Sequence, residues 1–428
     1  MSDPQILKNF ETPEHFAEIG DILDGSAPWL DSENGELFPE RDPAIEYGVL
    51  LDDKKGRTPG AVRCRDYADV WNHLQGDGGV KAAWMPQMKY GVPWFLLPGV
   101  AAPDEKHMKA RLIESLKKGA IGVGLGLYGI FNFNGSQSVM MVMIGIFLVL
   151  PALDAFLQWI TFPRKLTPQQ LYHRWVKGNL FQNWMVGRST GKAAYPVYGL
   201  LAVLAAVYVV QLLQSKEFSL FGVGFQTILD AGLLKDRVLE NGEKWRLLTS
   251  GVLHGSLVHI WFNGYALFHT GRVVIALSSA WHLAIVFLAS ILGGSLMSLA
   301  LNGPVTVGGA IFYRPSVGAS GGIMGVVGFL LFWALVYRDS IPHGFAKLLI
   351  RNVLIIAIMG IIGMQFIDNA GHFGGFVTGI AVAAIIRPRR KDWWSGEPSK
   401  WIDSLGIVSV AVLAWTVFRA ILALTAKG

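Results

Sequence analysis

The chain has 428 residues, 52% of them hydrophobic and only 16% charged, with a mean hydropathy of +0.40; it is too apolar for an ordinary soluble enzyme and too poor in charge for a disordered or coiled-coil chain. A single cysteine, Cys64, excludes an internal disulfide framework and any zinc site built on several thiolates. The formal charge of +6 could point to nucleic acid, but in an apolar chain the placement of Lys and Arg reads as membrane topology.

Residues 1–118 are polar and broken by turn-forming stretches such as Arg57-Thr58-Pro59-Gly60 and Gly76-Asp77-Gly78-Gly79, which predicts a soluble N-terminal domain without an assigned role. The first residues lack a basic segment followed by an apolar one, so no cleaved signal peptide is expected. From Gly119 onward nine apolar stretches meet or approach the roughly 20 residues that cross a hydrocarbon core by helix. Two of them, Gly119–Phe133 and Ser138–Ile160, predict a transmembrane hairpin within 119–160; the first is short and the second carries Pro151 and Asp154. A basic linker, 161–192, follows. Six spans are expected in residues 193–390, near Tyr195–Leu213, Val258–Leu277, Trp281–Leu301, Gly318–Tyr337, Ala346–Phe366 and Ala370–Ile386, and a seventh, Leu405–Ala426, within 391–428. The expected fold class is therefore all-α and polytopic: a six-helix core with a seventh C-terminal span, preceded by an extra hairpin and a soluble domain.

Short cytoplasmic loops are enriched in Lys and Arg. Lys106, Lys109, Arg111, Lys117 and Lys118 precede the first span, and Arg164, Lys165, Arg174, Lys177, Arg188 and Lys192 follow the second, so both flanks and the N-terminus are expected in the cytoplasm. Alternation then puts the connection from Arg338 to Arg351 and the run Arg387-Pro388-Arg389-Arg390-Lys391 inside as well. The connection between Gln214 and Leu257 falls outside although it holds Lys216, Lys235, Arg237, Lys244 and Arg246. Four inner segments outweigh one mixed-charge outer loop.

Three polar motifs stand in the apolar block. Gly318-Ala319-Ser320-Gly321-Gly322 opens a span, and its small residues would leave a serine hydroxyl accessible, although the same stripe serves as a helix-packing seam. A soluble G-x-S-x-G elbow needs a preceding strand in an α/β sheet, which a following membrane span contradicts. Asp368-Asn369-Ala370-Gly371-His372-Phe373-Gly374-Gly375 opens the next-to-last span, where an ionisable residue is costly. Gly371, Gly375 and Gly379, spaced by four, would bring this helix against the Ser320 helix. Asp368 suits either a triad carboxylate or a helix cap; the cap is the expected role. The third motif holds His254, His259 and Asn263; the last two are four apart and share a helical face, with His254 ahead of the helix.

A serine nucleophile needs an adjacent base, and acyl transfer needs donors aimed at the developing oxyanion. Ser320, His372 and the His259/Asn263 pair supply those roles, all at the outer ends of their spans in this topology. Packing residues alone would not be expected to sort in this way.

With these residues the sequence resembles the rhomboid family of intramembrane serine proteases, over roughly Ala193 to Arg390. The resemblance rests on His254-x4-His259-x3-Asn263, on Gly318-Ala319-Ser320-Gly321, on the Gly371-His372, Gly375 and Gly379 spacing, and on Trp245-Arg246 in the first outer loop. It implies Ser320 as nucleophile and His372 as general base, with His259, Asn263 and the Ser320 amide holding the oxyanion and His254 supporting the loop. Gly318 and Met324 would support the site; Met324 stands where family members commonly carry an aromatic residue, and its sulfur can contact an imidazole face. No metal or cofactor is implied. The partners implied are the lipid bilayer and transmembrane protein substrates, cut at small residues with helix-weakening residues beyond, and not nucleic acid. The loop between Leu299 and Ser316 and the fifth core span would act as cap and gate. The site would open to the outer side of the cell membrane. A non-catalytic rhomboid-like binder or escort of membrane helices is the alternative, against which the presence of both Ser320 and His372 counts. A transporter would predict inverted repeats and charged midplane residues, and neither is evident.

Two further motifs read as structure. Gly124-x-Gly126-x-x-Gly129 lies inside an apolar run and is expected to be a packing face, not a dinucleotide loop. Trp393, Trp394 and Trp401 are expected as anchors at headgroup level.

Overall fold

The computed structural model describes residues 44, 46–51, 60–65, 69–70, 73, 80–84, 92–93, 105–132, 136–162, 181, 185–215, 222–307, 310–338, 341, 344–363, 367–387 and 400–426. The chain divides into two compact units, Met1–Leu116 with Ala152–Trp184, and Lys117–Pro151 with Met185–Gly428.

The first unit contains an antiparallel sheet of β1 (Tyr47–Leu51), β2 (Gly60–Cys64), β3 (Val80–Trp84) and β4 (Val92–Pro93), in the order β2-β1-β3-β4. Val49 pairs with Val62 on one side and Ala83 on the other. Around Val49, Cys64, Val70 and Ala83 a small apolar core closes, flanked by Tyr47, Leu51 and Val62. Pro93 has no N–H to donate and sits in the edge strand, where none is required. The described N-terminal segment thus holds a four-stranded sheet, whereas the described elements that follow it are helical but for one short hairpin.

Two helices, α1 (Glu105–Asn132) and α2 (Ser136–Ile160), stand where the sequence places the hairpin, neither among the stretches of described residues long and apolar enough to cross a membrane. The first begins at Glu105, well ahead of the apolar run from Gly119, because its opening turns are built from good helix formers such as Glu, Lys, Arg and Leu. Only part of the expected glycine face packs: a side chain on Gly129 would strike Met141, and Gly145 abuts Gly126, whereas Gly124 faces open space. Gly122, which packs on Gly145, takes its place, because residues 122, 126 and 129 share a helical face and 124 does not.

In the second unit follow α3 (Tyr195–Gln214), the short connecting helices α4 (Phe225–Ala231), α5 (Lys235–Leu239) and α6 (Arg246–Thr249), then α7 (Leu257–Leu277) and α8 (Ala280–Leu301). A β-hairpin, β5 (Val305–Val307) with β6 (Ala310–Phe312), leads to α9 (Ser320–Val336), α10 (Gly344–Ile362), α11 (Asn369–Ile386) and α12 (Lys400–Thr425). Among the described residues, five helical stretches are long and apolar enough to cross a membrane: Gly191–Gln214, Ala280–Leu301, Gly344–Ile361, Asn369–Ile386 and Lys400–Thr425. The chain is a multi-pass membrane protein. Trp401 lies exposed in the first turn of α12, while Trp393 and Trp394 fall outside the described residues.

The centre of this unit is α8, which packs against α9, α11 and α12. Trp333, Phe287 and Phe329 fill its interior. Helices α9 and α11 meet backbone to backbone: side chains on Gly375 and Gly379 would collide with the carbonyls of Gly321 and Gly325. Close approach of this kind is how helices associate in lipid, where burying apolar surface gives no driving force. At the other end of the bundle His282 donates from Nε2 to the last α11 carbonyl, Ile386 O, at 2.9 Å, and accepts at Nδ1 from Ser279 Oγ at 2.8 Å. Arg188 Nε donates to Ala276 O near the C-terminus of α7, and Arg272 Nε to Ser189 O.

Candidate active site

Three helix starts converge on one end of the bundle. The first is α7, whose beginning is set by Ser256: its hydroxyl accepts from the His259 amide at 3.1 Å, a side-chain cap that puts His259 in the first turn. His259 is half-buried, and Asn263 lies one turn further along, 7% exposed. Asn263 Nδ2 is buried and donates to no protein group among the described residues. A buried donor without a partner costs about 1–3 kcal/mol, so its presence calls for an explanation.

Ser320, half-buried, begins α9. This helix has 17 residues, about 25 Å at 1.5 Å per residue, shorter than a bilayer core of roughly 30 Å. A helix of that length is too short to reach from one face of the hydrocarbon core to the other. The first intrahelical bond runs from Ile323 N to Ala319 O, which leaves the earlier amides of this N-terminus outside the helix ladder, at the positive end of its dipole.

Gly318 has φ of +137°, a region closed to side chains without strain. It also lacks room: a Cβ there would come within 2.8 Å of the His259 ring and 3.5 Å of Ser320 Oγ. The serine, the glycine and this histidine are therefore in one cluster. The Gly318 amide donates to Ser250 O at 2.9 Å.

His372 stands in the first turn of α11, half-buried. The carbonyl before it, Gly371 O, lies 3.6 Å from where a side chain on Gly321 would begin, which sets the start of α11 against the start of α9. Ser320 Oγ and the His372 ring make no hydrogen bond to one another among the described residues; such bonds are often long before substrate arrives. Met324 is buried one turn below Ser320.

Asp368 is the N-cap of α11, with its carboxylate accepting from the Gly371 amide at 2.8 Å. It also accepts from Ser298 Oγ and Ser316 Oγ at 2.6 Å each and from Asn302 Nδ2 at 2.9 Å. Burial opposes the carboxylate charge, but these hydrogen bonds outweigh it and hold its pKa below the ordinary value of 3.8. The carboxylate is thus committed to the end of α8, the approach to α9 and the start of α11.

His254 is fully buried just ahead of α7, and both its ring nitrogens lack a protein partner among the described residues. Its ring meets His259 edge-on, with centroids 5.2 Å apart. Its backbone is gripped on both sides by Gln211 of α3: the amide donates to Gln211 Oε1 at 2.9 Å, and Gln211 Nε2 donates to His254 O at 3.1 Å. Gln211 was not singled out from sequence, although a buried glutamine inside an apolar span is itself a signal.

The loop ahead of α9 is tied to the connection between α3 and α7. Leu233 and Ser316 exchange backbone hydrogen bonds of 2.9 and 3.0 Å. Arg246 is buried; it donates to Glu243, to Leu229 O and to Gly232 O.

Comparison with known proteins gives a family-model match, described as a rhomboid domain, over residues 241–389. The chain is 33% identical over 165 residues to rhomboid protease GluP of Bacillus subtilis, covering 38% of this chain and 30% of that protein. It is 31% identical over 177 residues to RHOMBOID-like protein 5 of Arabidopsis thaliana, covering 41% and 55%. To rhomboid protease AarA of Providencia stuartii it is 28% identical over 165 residues, covering 35% and 59%. The matched part thus spans about a third to three fifths of these relatives.

Proposed function

Through residues 241–389 the chain belongs to the rhomboid family, and from this premise we propose that it is an intramembrane serine endopeptidase that cuts transmembrane segments of other membrane proteins with Ser320 and His372. The observation that carries the reading is the cluster at Gly318: Ser320 Oγ beside a glycine that cannot bear a side chain, the His259 ring against the same glycine, and a helix N-terminus beneath.

His372 takes the Ser320 proton as Oγ attacks the scissile carbonyl, and returns it to the leaving amine. The carbonyl oxygen, now negative, meets the Ser320 amide, His259 and the Asn263 amide group. The unpartnered Asn263 Nδ2 has its explanation in this scheme: it is a donor kept for charge that exists only in the transition state. Water then cleaves the acyl-enzyme. Asp368 takes no part in proton transfer, since its oxygens are engaged by four other donors.

The N-terminus is cytoplasmic and the site opens outward in this proposal. Arg188, Arg272 and Arg387 support it, lying at the bundle end opposite Ser320. Three of the five outer-loop cations that ran against the charge rule have internal partners: Arg246 as above, Arg237 paired with Glu243, and Lys235 over the Tyr313 ring. Charges so engaged weigh little in topology.

The test is labelling of purified protein by a fluorophosphonate, together with cleavage of a model single-pass substrate. Wild type should label and cleave; Ser320→Ala should do neither, and His372→Ala should lose both while still folding, because the two act as one unit. Turnover near wild type in either variant refutes the assignment.

A further inference from the structure

Arg419 is a cation inside α12, six residues before the helix end at Thr425 and so on the order of 9 Å from it, in a stretch of mean hydropathy 2.2. A guanidinium in that position is costly and demands a partner. No carboxylate pairs with it among the described residues. Its partner is an aromatic face: Arg419 Cζ lies 4.0 Å from the centre of the Trp245 ring. Arg246 Cζ lies over the same ring at 4.6 Å. Two cations on one indole repel, and Glu243, paired with Arg246, offsets that repulsion. Helix α12 lies beyond the matched rhomboid segment, which ends at residue 389.

From Trp245 a short path leads to the nucleophile. Trp245 O accepts from the amides of Leu248 and Thr249 in α6, and the following residue, Ser250, accepts from the Gly318 amide, two positions before Ser320. A second path runs through Arg246 to the Gly232 carbonyl, and from its neighbour Leu233 to Ser316. Thr249 Oγ1 adds a bond to Ala231 O at 2.7 Å. Every hydrogen bond of the first path joins backbone groups on short turns, so a displacement of Trp245 passes along it and is not absorbed by flexible side chains; the second path reaches the same loop through the buried Arg246 side chain.

We propose that Arg419 is a positioning residue: by holding the Trp245 ring it braces the outer loop from the C-terminal helix and so fixes the backbone at Gly318 and Ser320. The brace rests on the protease reading for what it serves, and on the Arg419–Trp245 contact for its existence. A cation over an indole keeps its attraction whichever cation supplies it. Lysine should therefore substitute in part where an uncharged chain of similar length does not.

The experiment uses the full-length chain in detergent, with Arg419→Met, Arg419→Lys, Trp245→Leu and the double variant Arg419→Met/Trp245→Leu. Expected is a fall in kcat of about tenfold for Arg419→Met, with KM within about twofold, substantial recovery in Arg419→Lys, and a double variant no worse than the Trp245→Leu single. An unchanged kcat in Arg419→Met, or losses that multiply in the double variant, overturns the proposal. Amide hydrogen exchange is followed in the same samples over residues 229–253 and 316–320. Faster exchange in both segments of Arg419→Met, with the helices α8 and α9 still protected, upholds the brace and separates it from general unfolding; unchanged exchange overturns it. Should wild-type Ser320 take no label, the protease reading fails, and the exchange data still decide the brace.

Discussion

Asn263 and Asp368 show how differently two polar residues at one site are used. Asn263 holds a buried donor without a partner among the described residues; in its proposed oxyanion role, Asn263→Ala should lower kcat by roughly 10² or more with KM little changed. Steady-state kinetics on a model substrate checks this, and an equal loss of binding and turnover would mark the side chain as structural. Asp368 is saturated instead. Its pKa in the folded state is depressed from 3.8, so its stabilisation is complete above that pH and is lost as pH falls through the folded value. Thermal midpoints from pH 6 to pH 3 should therefore fall in wild type, while Asp368→Asn starts lower at pH 6 and loses less on acidification. Its turnover at neutral pH should stay near normal, where a triad carboxylate would cost about 10⁴. The cap was legible because Asp368 stands just before a glycine-rich apolar run. Its other partners, Ser298, Ser316 and Asn302, lie 70, 52 and 66 positions away, and no local pattern points to them.

At the scale of elements, the seam between α9 and α11 has no slack. A Cβ on Gly379 would fall on the Gly325 carbonyl, a backbone atom that cannot rotate aside. Gly379→Ala should cost about 1–3 kcal/mol, as overpacking does, read from the thermal midpoint in detergent. Gly124→Ala, into open space, should be neutral or stabilising, because alanine is the better helix former. Equal midpoints for the two variants would refute the close packing. The spacing of Gly371, Gly375 and Gly379 shows this seam in the sequence, since four-residue recurrence defines a helical face. The sheet of β1 to β4 and the hairpin of β5 with β6 were not visible there. Strands of 2 to 5 residues carry too few alternations to rise above turn-rich surroundings. Arg419 and Trp245 were each visible as residues, but their contact joins a loop to a helix more than 170 positions on.

For the molecule as a whole, the proposed chemistry lies entirely in the second unit, on α7, α9 and α11. None of the residues proposed as nucleophile, base or oxyanion donor lies in residues 1–104, and the described strands among them close on their own apolar cluster of Val49, Cys64, Val70 and Ala83. Cutting the chain just before Glu105 leaves α1 whole. The supports of Ser320 survive as well: Ser250 beneath Gly318, Leu233 against Ser316, and Gln211 on His254 are all within the second unit. A protein lacking residues 1–104 should therefore label at Ser320 at the wild-type rate and cleave a short single-pass substrate in detergent with near wild-type kcat/KM. Substrate recognition by the N-terminal segment would give a different pattern: normal labelling, because the small probe needs only the nucleophile and its oxyanion donors, but a raised KM toward the protein substrate. Loss of labelling in a deletion that keeps its thermal midpoint would show instead that the N-terminal segment acts on the site itself, and that the second unit is not self-sufficient.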